Sequence, residues 1–181
     1  MRIKNTSTQF GWVSIVNHWV TAVLFIGMIA LGIYMGSLPK GPERSDLYDL
    51  HKSIGVIILG LFFFRILWLK LSPNPESVSL TRFEHILAHS VKGLLYLGLV
   101  LMPLSGWIMS SSGGHDVAVF DWFVLPAIVP ENELVHEAAE EFHEILGELI
   151  LPAIIVLHIA GALKHHYFYK DATLNRMLGK K

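Results

Sequence analysis

The chain has 181 residues, 52% of them apolar, with 14 Lys and Arg against 15 Asp and Glu and a positive mean hydropathy. That apolar content is high for a water-soluble domain. The absence of cysteine excludes disulfides, thiolate-held iron–sulfur clusters and the Cys-x-x-Cys-His attachment of haem, so a bound metal must use His, carboxylate or thioether ligands.

A bilayer core of roughly 30 Å needs about 20 helical residues, and four stretches qualify. The first covers residues 13–35, free of Asp, Glu, Lys and Arg, and stops at Gly36-Ser37-Leu38-Pro39. It lacks an Ala-x-Ala-type cleavage site and reads as a retained span rather than a signal peptide. The second covers residues 50–71, with Lys52 at its start and Arg65 and Lys70 towards its end, and is broken by Ser72-Pro73-Asn74-Pro75. The third covers residues 89–111 and contains Pro103, which a membrane helix tolerates as a kink. The fourth covers residues 142–168, with Glu144 and Glu148 in its entering turns. The expected fold is an all-α membrane protein, a four-transmembrane-helix bundle forming a single domain over residues 1–181.

Four spans put both termini on one side. Eleven of the fourteen Lys and Arg fall on that side, against Lys40, Arg44 and Lys52 opposite. The positive-inside tendency makes the termini cytoplasmic and residues 112–141 an exported loop. That loop holds seven acidic residues and no Lys or Arg. Its aromatic stretch 117–129 is expected along the membrane interface.

Ten histidines, several inside or beside apolar runs, are the anomaly. The direction of each helix pairs His18 with His158 near the terminal side, and His51 with His143 near the exported side. The two on helix 4 are 158 − 143 = 15 residues apart, which is about 22 Å along the axis and leaves them roughly 60° apart in phase. Pro152 lies between them and is placed to adjust that angle. Two imidazoles on one iron saturate it and favour outer-sphere electron transfer, so two haem groups are expected. Zinc, which takes three or four protein ligands, suits a two-and-two split less well. Histidines bonded to neighbouring helices are the bland alternative.

Arg65 follows His51 by 65 − 51 = 14 residues, roughly four turns, and so shares its face. A charge this near a bilayer core is costly, and it is expected on a propionate of the His18/His158 haem, or else snorkelling to headgroups. Lys52 is expected to serve the other haem, or to mark the membrane boundary. Lys164, His165 and His166 form a polar cluster suited to a propionate or a quinone carbonyl, with an interfacial anchor as the alternative. His89 is a further quinone or propionate candidate. His85, His115 and His136 read as loop residues.

The motifs His18-Trp19, Leu50-His51-Lys52-Ser53-Ile54-Gly55, Pro103-Leu104-Ser105-Gly106 and Ala162-Leu163-Lys164-His165-His166-Tyr167, with Arg65, Asp171, Leu174 and Arg176-Met177, resemble the bacterial cytochrome b561 family over nearly the whole chain. The resemblance implies a four-helix, di-haem b membrane cytochrome with His18, His51, His143 and His158 as ligands, exchanging electrons with ubiquinone. In one branch it implies oxidation of superoxide, but an acidic exported loop does not attract an anion. Leu50 to Gly55 and Phe120-Asp121-Trp122-Phe123 look closer to a branch associated with a periplasmic lipid- or isoprenoid-binding protein. The expected role is electron transfer between the quinone pool and an exported donor or acceptor, with superoxide:ubiquinone oxidoreductase and a haem-bearing anchor of a periplasmic dehydrogenase as alternatives. A haem-free transporter ranks last, and no nucleic-acid partner is expected.

Overall fold

A computed structural model describes residues 2–76 and 81–180, so Lys181 of the basic set lies outside the described residues. Helix α1 covers Trp12–Ser37. Its buried positions Asn17, Thr21, Phe25 and Met28 recur at helical spacing, while Val16, Val20, Val23 and Ile26 are exposed. Apolar side chains pointing outward around a bundle are what a hydrocarbon solvent demands.

Helix α2 covers Pro42–Leu71, eight residues before the expected apolar start, because Pro42 with Glu43 in the first turn begins a helix outside the uncharged run. Helix α3 covers Arg82–Ser112. Thr81 caps it with a reciprocal Glu84 bond that satisfies two otherwise free donors. Helix α4 begins at Glu133 and reaches Tyr169, with Asn132 capping the Val135 N–H. A short helix α5 covers Thr173–Met177. Four of these helices are long and apolar enough to cross a bilayer.

Residues 112–141 are therefore only partly a loop. Strands β1 (Val117–Val119) and β2 (Phe123–Leu125) form an antiparallel hairpin, and residues 133–141 belong to α4. Phe120 turns the hairpin at φ 48°, a left-handed conformation uncommon for an aromatic residue. Ser53 secures it, donating to the Ala118 carbonyl at 3.2 Å and accepting from the Phe120 N–H at 2.9 Å.

The opposite end is tied by the chain termini. The Asn5 N–H donates to Ser72 Oγ, Glu76 N–H to the Ser7 carbonyl, Arg176 to the Glu76 carbonyl and Trp19 Nε1 to the Met177 carbonyl. Both ends of the described chain thus meet the α2–α3 connection at one end of the bundle, called here the terminal end; the other is the hairpin end.

The core centres on Phe25, Met28, Ile58, Leu99, Leu146 and Leu151. At Gly98 a Cβ would stand 2.3 Å from Leu151 Cδ2, so α3 and α4 touch through a glycine, as small residues permit in membrane bundles. Gly60 has open space around it. Gly98→Ala should lower stability in detergent by about 1–3 kcal/mol, read from thermal unfolding, while Gly60→Ala leaves it unchanged or slightly raised; equal effects would contradict the packing.

Candidate functional site

Two histidine pairs face each other across the bundle interior. His18 on α1 and His158 on α4 have ring centroids 6.2 Å apart at an interplanar angle of 56°. His51 on α2 and His143 on α4 stand 6.1 Å apart at 67°. All four rings are half-buried. A metal–imidazole bond of about 2 Å on each side, plus roughly 1 Å from nitrogen to ring centre, separates two trans imidazole centroids by about 6 Å. Both pairs have the separation of two imidazoles gripping one ion between them. Among the described residues no cluster of three or more His, Asp or Glu could hold a metal, which disfavours a tetrahedral zinc site.

Helix α4 supplies one member of each pair, and its phase is set by a feature the sequence reading missed. Leu146–Ile150 form a π-helical turn between the two histidines. Pro152, just beyond, has no N–H for the Glu148 carbonyl and its ring crowds that carbonyl, which opens the preceding turn. Absorbing one surplus residue leaves 14 residues of ordinary rotation, about 1400°, or roughly 40° short of four full turns. The residual angle between His143 and His158 thus falls below the 60° of an unbroken helix. Gly147 lies within the turn, where a Cβ would be 3.0 Å from Met102 Cε.

A cavity of about 530 Å³ surrounds the hairpin-end pair, lined by His51, His143, Gly32, Gly106, Met102 and Lys52 among others. A Cβ at Gly32 would lie 3.5 Å from His51 Cε1, and one at Gly106 3.2 Å from His143 Cε1. Glycine keeps both flanks of the rings clear. His143 Nδ1 is 2.8 Å from Ser105 Oγ, whereas His51 Nδ1 is buried without a partner among the described residues. Two supposed loop histidines also line this cavity, His115 and His136. His136 sits in α4 and donates from Nδ1 to the Met109 carbonyl at 2.8 Å.

The charged candidates divide by location. Arg65 donates from Nε to Tyr96 Oη at 2.9 Å, and its charge reaches both His18 and His158. Lys52 pairs with Asp49 at 3.0 Å and donates to the Asp116 carbonyl, holding the hairpin beside the cavity. Lys164 is engaged by Glu84 at 2.8 Å, and Glu84 also accepts from Tyr169. His165 is held at Nδ1 by Asp171, and His166 packs edge-on against Tyr167. His89 is exposed on α3, its ring tilted by 33° to that of His85 with centroids 4.0 Å apart, and Nδ1 donates to the His85 carbonyl. The structure groups Lys164 and His165 at the terminal end and leaves His89 on the outside of the bundle.

Partial burial pushes the Asp171 carboxyl up, but bonds from His165 and Thr173 outweigh it and hold the group below its ordinary value. A lowered carboxyl contributes stability that is present above about pH 4, its unfolded value, and is lost as pH falls through the folded one. At neutral pH Asp171→Asn should therefore loosen the turn into α5. The predicted result is roughly two- to tenfold faster amide exchange at Thr173 and its neighbours, and unchanged exchange would count against this latch.

A family model described as prokaryotic cytochrome b561 matches residues 9–180. Cytochrome b561 homolog 2 of Escherichia coli strain K12 is 35% identical, across 99% of this chain and 96% of its own length. Cytochrome b561 homolog 1 of the same organism is 26% identical, across 96% of this chain and 98% of its own. The probable superoxide oxidase CybB of Yersinia pestis is 28% identical, across 91% and 92%. With a bundle of four apolar helices and nearly every described residue inside the matched region, the chain belongs to the prokaryotic cytochrome b561 family.

Proposed function

We propose that this chain is a di-haem b cytochrome of the bacterial inner membrane that carries electrons between the quinone pool and a redox partner on the hairpin side. The observation that carries this reading is the pair of histidine couples at 6.1 and 6.2 Å, one near each end of the bundle. The residues present fit the group, because each couple offers two opposed imidazoles and the hairpin-end couple opens onto a glycine-flanked cavity of about 530 Å³. When bound, a haem with two histidine ligands supplies reversible one-electron chemistry at an iron with no position open to oxygen.

The chain's own residues do the rest. His18 with His158 and His51 with His143 grip and orient, and the packed core between the layers excludes water. Arg65 places a cation beside the terminal-end couple, where it offsets a propionate charge. Lys52 does the same at the hairpin end. His165 is fixed by Asp171 at one nitrogen, which leaves Nε2 for a quinone carbonyl. The basic bias of the terminal end supports a cytoplasmic location for it, with the acidic hairpin end exported. That surface suits a basic protein partner better than an anionic substrate.

A second reading, superoxide:ubiquinone oxidoreductase, is favoured by the resemblance to the Yersinia protein. Lys52 and Arg44 line the cavity and would be the cations available to superoxide, but Asp49, Glu140 and Glu144 line it too.

Two variants of the purified protein test the assignment. His18→Ala and His51→Ala should each lower bound haem by about one equivalent and leave the other in place. Retention of both in either variant, or loss of both in each, would contradict it. In wild type, ubiquinol should reduce the haem absorbance. A superoxide source acting faster than ubiquinol, with that advantage lost in Lys52→Gln, would replace the leading reading with the second.

A further inference from the structure

We infer that Ser105 is a positioning residue for His143, fixing the tautomer of that ring and giving the two ends of the bundle different reduction potentials. The inference rests on the di-haem reading and adds a device to it.

Ser105 Oγ donates to the Met102 carbonyl at 2.9 Å, three residues back in α3. A hydroxyl has one proton and a carbonyl can only accept, so towards His143 the same oxygen is an acceptor. The 2.8 Å contact with His143 Nδ1 is therefore an N–H donating to Ser105 Oγ. That bond places the proton on Nδ1, which leaves Nε2 as the nitrogen with a free lone pair.

The sequence around Ser105 produces this arrangement. Pro103 leaves the Leu99 carbonyl without its usual helical donor, and Gly106 lets the His143 ring approach α3. Ser105 is itself buried, so water does not compete for the bond.

His51, on the opposite side of the cavity, has a buried Nδ1 with no partner among the described residues. The two imidazoles of that pair therefore differ. A ligating imidazole that donates its other N–H is the more basic ligand, which favours the oxidised metal and lowers its potential. Ser105 makes the His51/His143 centre harder to reduce than it would be without that bond, and does so at one end only.

Optical redox titration of haem-loaded Ser105→Ala tests this. One of two midpoints should rise by about 30–60 mV, a three- to tenfold change for one electron at 59 mV per decade, while the other holds. Ser105→Thr, which keeps the hydroxyl, should restore the wild-type value. Loss of one haem alone from Ser105→Ala would support the same role. Midpoints that stay put, midpoints that move together, or loss of both haems would overturn it. A second measurement needs no haem. In the full-length chain labelled with 15N-histidine, His143 should show a protonated Nδ1 in wild type and a mixture of tautomers in Ser105→Ala; a protonated Nε2 in wild type would overturn the inference. If wild type binds no haem, the di-haem reading falls, and the tautomer measurement still decides the part played by Ser105.

Discussion

Everything in this bundle depends on holding two imidazoles about 6 Å apart, twice, inside an apolar interior. Helix α4 is anchored independently of the histidines. Leu151 is 1% exposed and sits against Gly98, Leu146 packs in the same cluster, and the π turn that begins at Leu146 lies between His143 and Leu151. The helix that serves both layers is thus fixed in depth and in phase at its midpoint. The histidines project from a scaffold already set.

The two ends are built for different tasks. At the terminal end, hydrogen bonds from the N-terminal segment, the α2–α3 connection and α5 converge on one another, and Glu84 gathers Thr81, Lys164 and Tyr169. Such a net holds α3 and α4 together where Arg65 and His165 sit. At the hairpin end the connection between α3 and α4 folds back on α2 through Ser53 and Lys52, the two residues after His51. The covering of the cavity and the placement of one of its histidines are therefore coupled through three consecutive residues. Trp122, Phe123 and Val124 remain exposed on the far side of the hairpin.

Much of this was legible in the sequence because the bilayer imposes length and charge rules that a single chain displays openly. Four long apolar runs, the sign of the charges between them, and the direction of each helix were enough to pair His18 with His158 and His51 with His143. The helix starts were missed for a definable reason. Apolar stretches begin at Leu50, His89 and Phe142, whereas Pro42, the Thr81–Glu84 box and Asn132 begin the helices about two turns or more before the apolar edge. The hairpin was hidden because its turn uses Phe120 where a turn signal would be Gly or Asn. The π turn was hidden because Pro152 signals an adjusted angle between His143 and His158 without specifying the backbone turn that makes it. The contact between Ser105 and His143 joins residues 38 apart in sequence, and no local pattern carries that information.

The most direct test of the account is the haem content and spectrum of the wild-type protein purified from haem-replete cells. A pyridine haemochrome assay with a reduced-minus-oxidised spectrum should give two haem b per chain, both low-spin, as two histidine pairs require. A folded, monodisperse protein with no haem, or one whose iron is high-spin and open at one axial position, would contradict it.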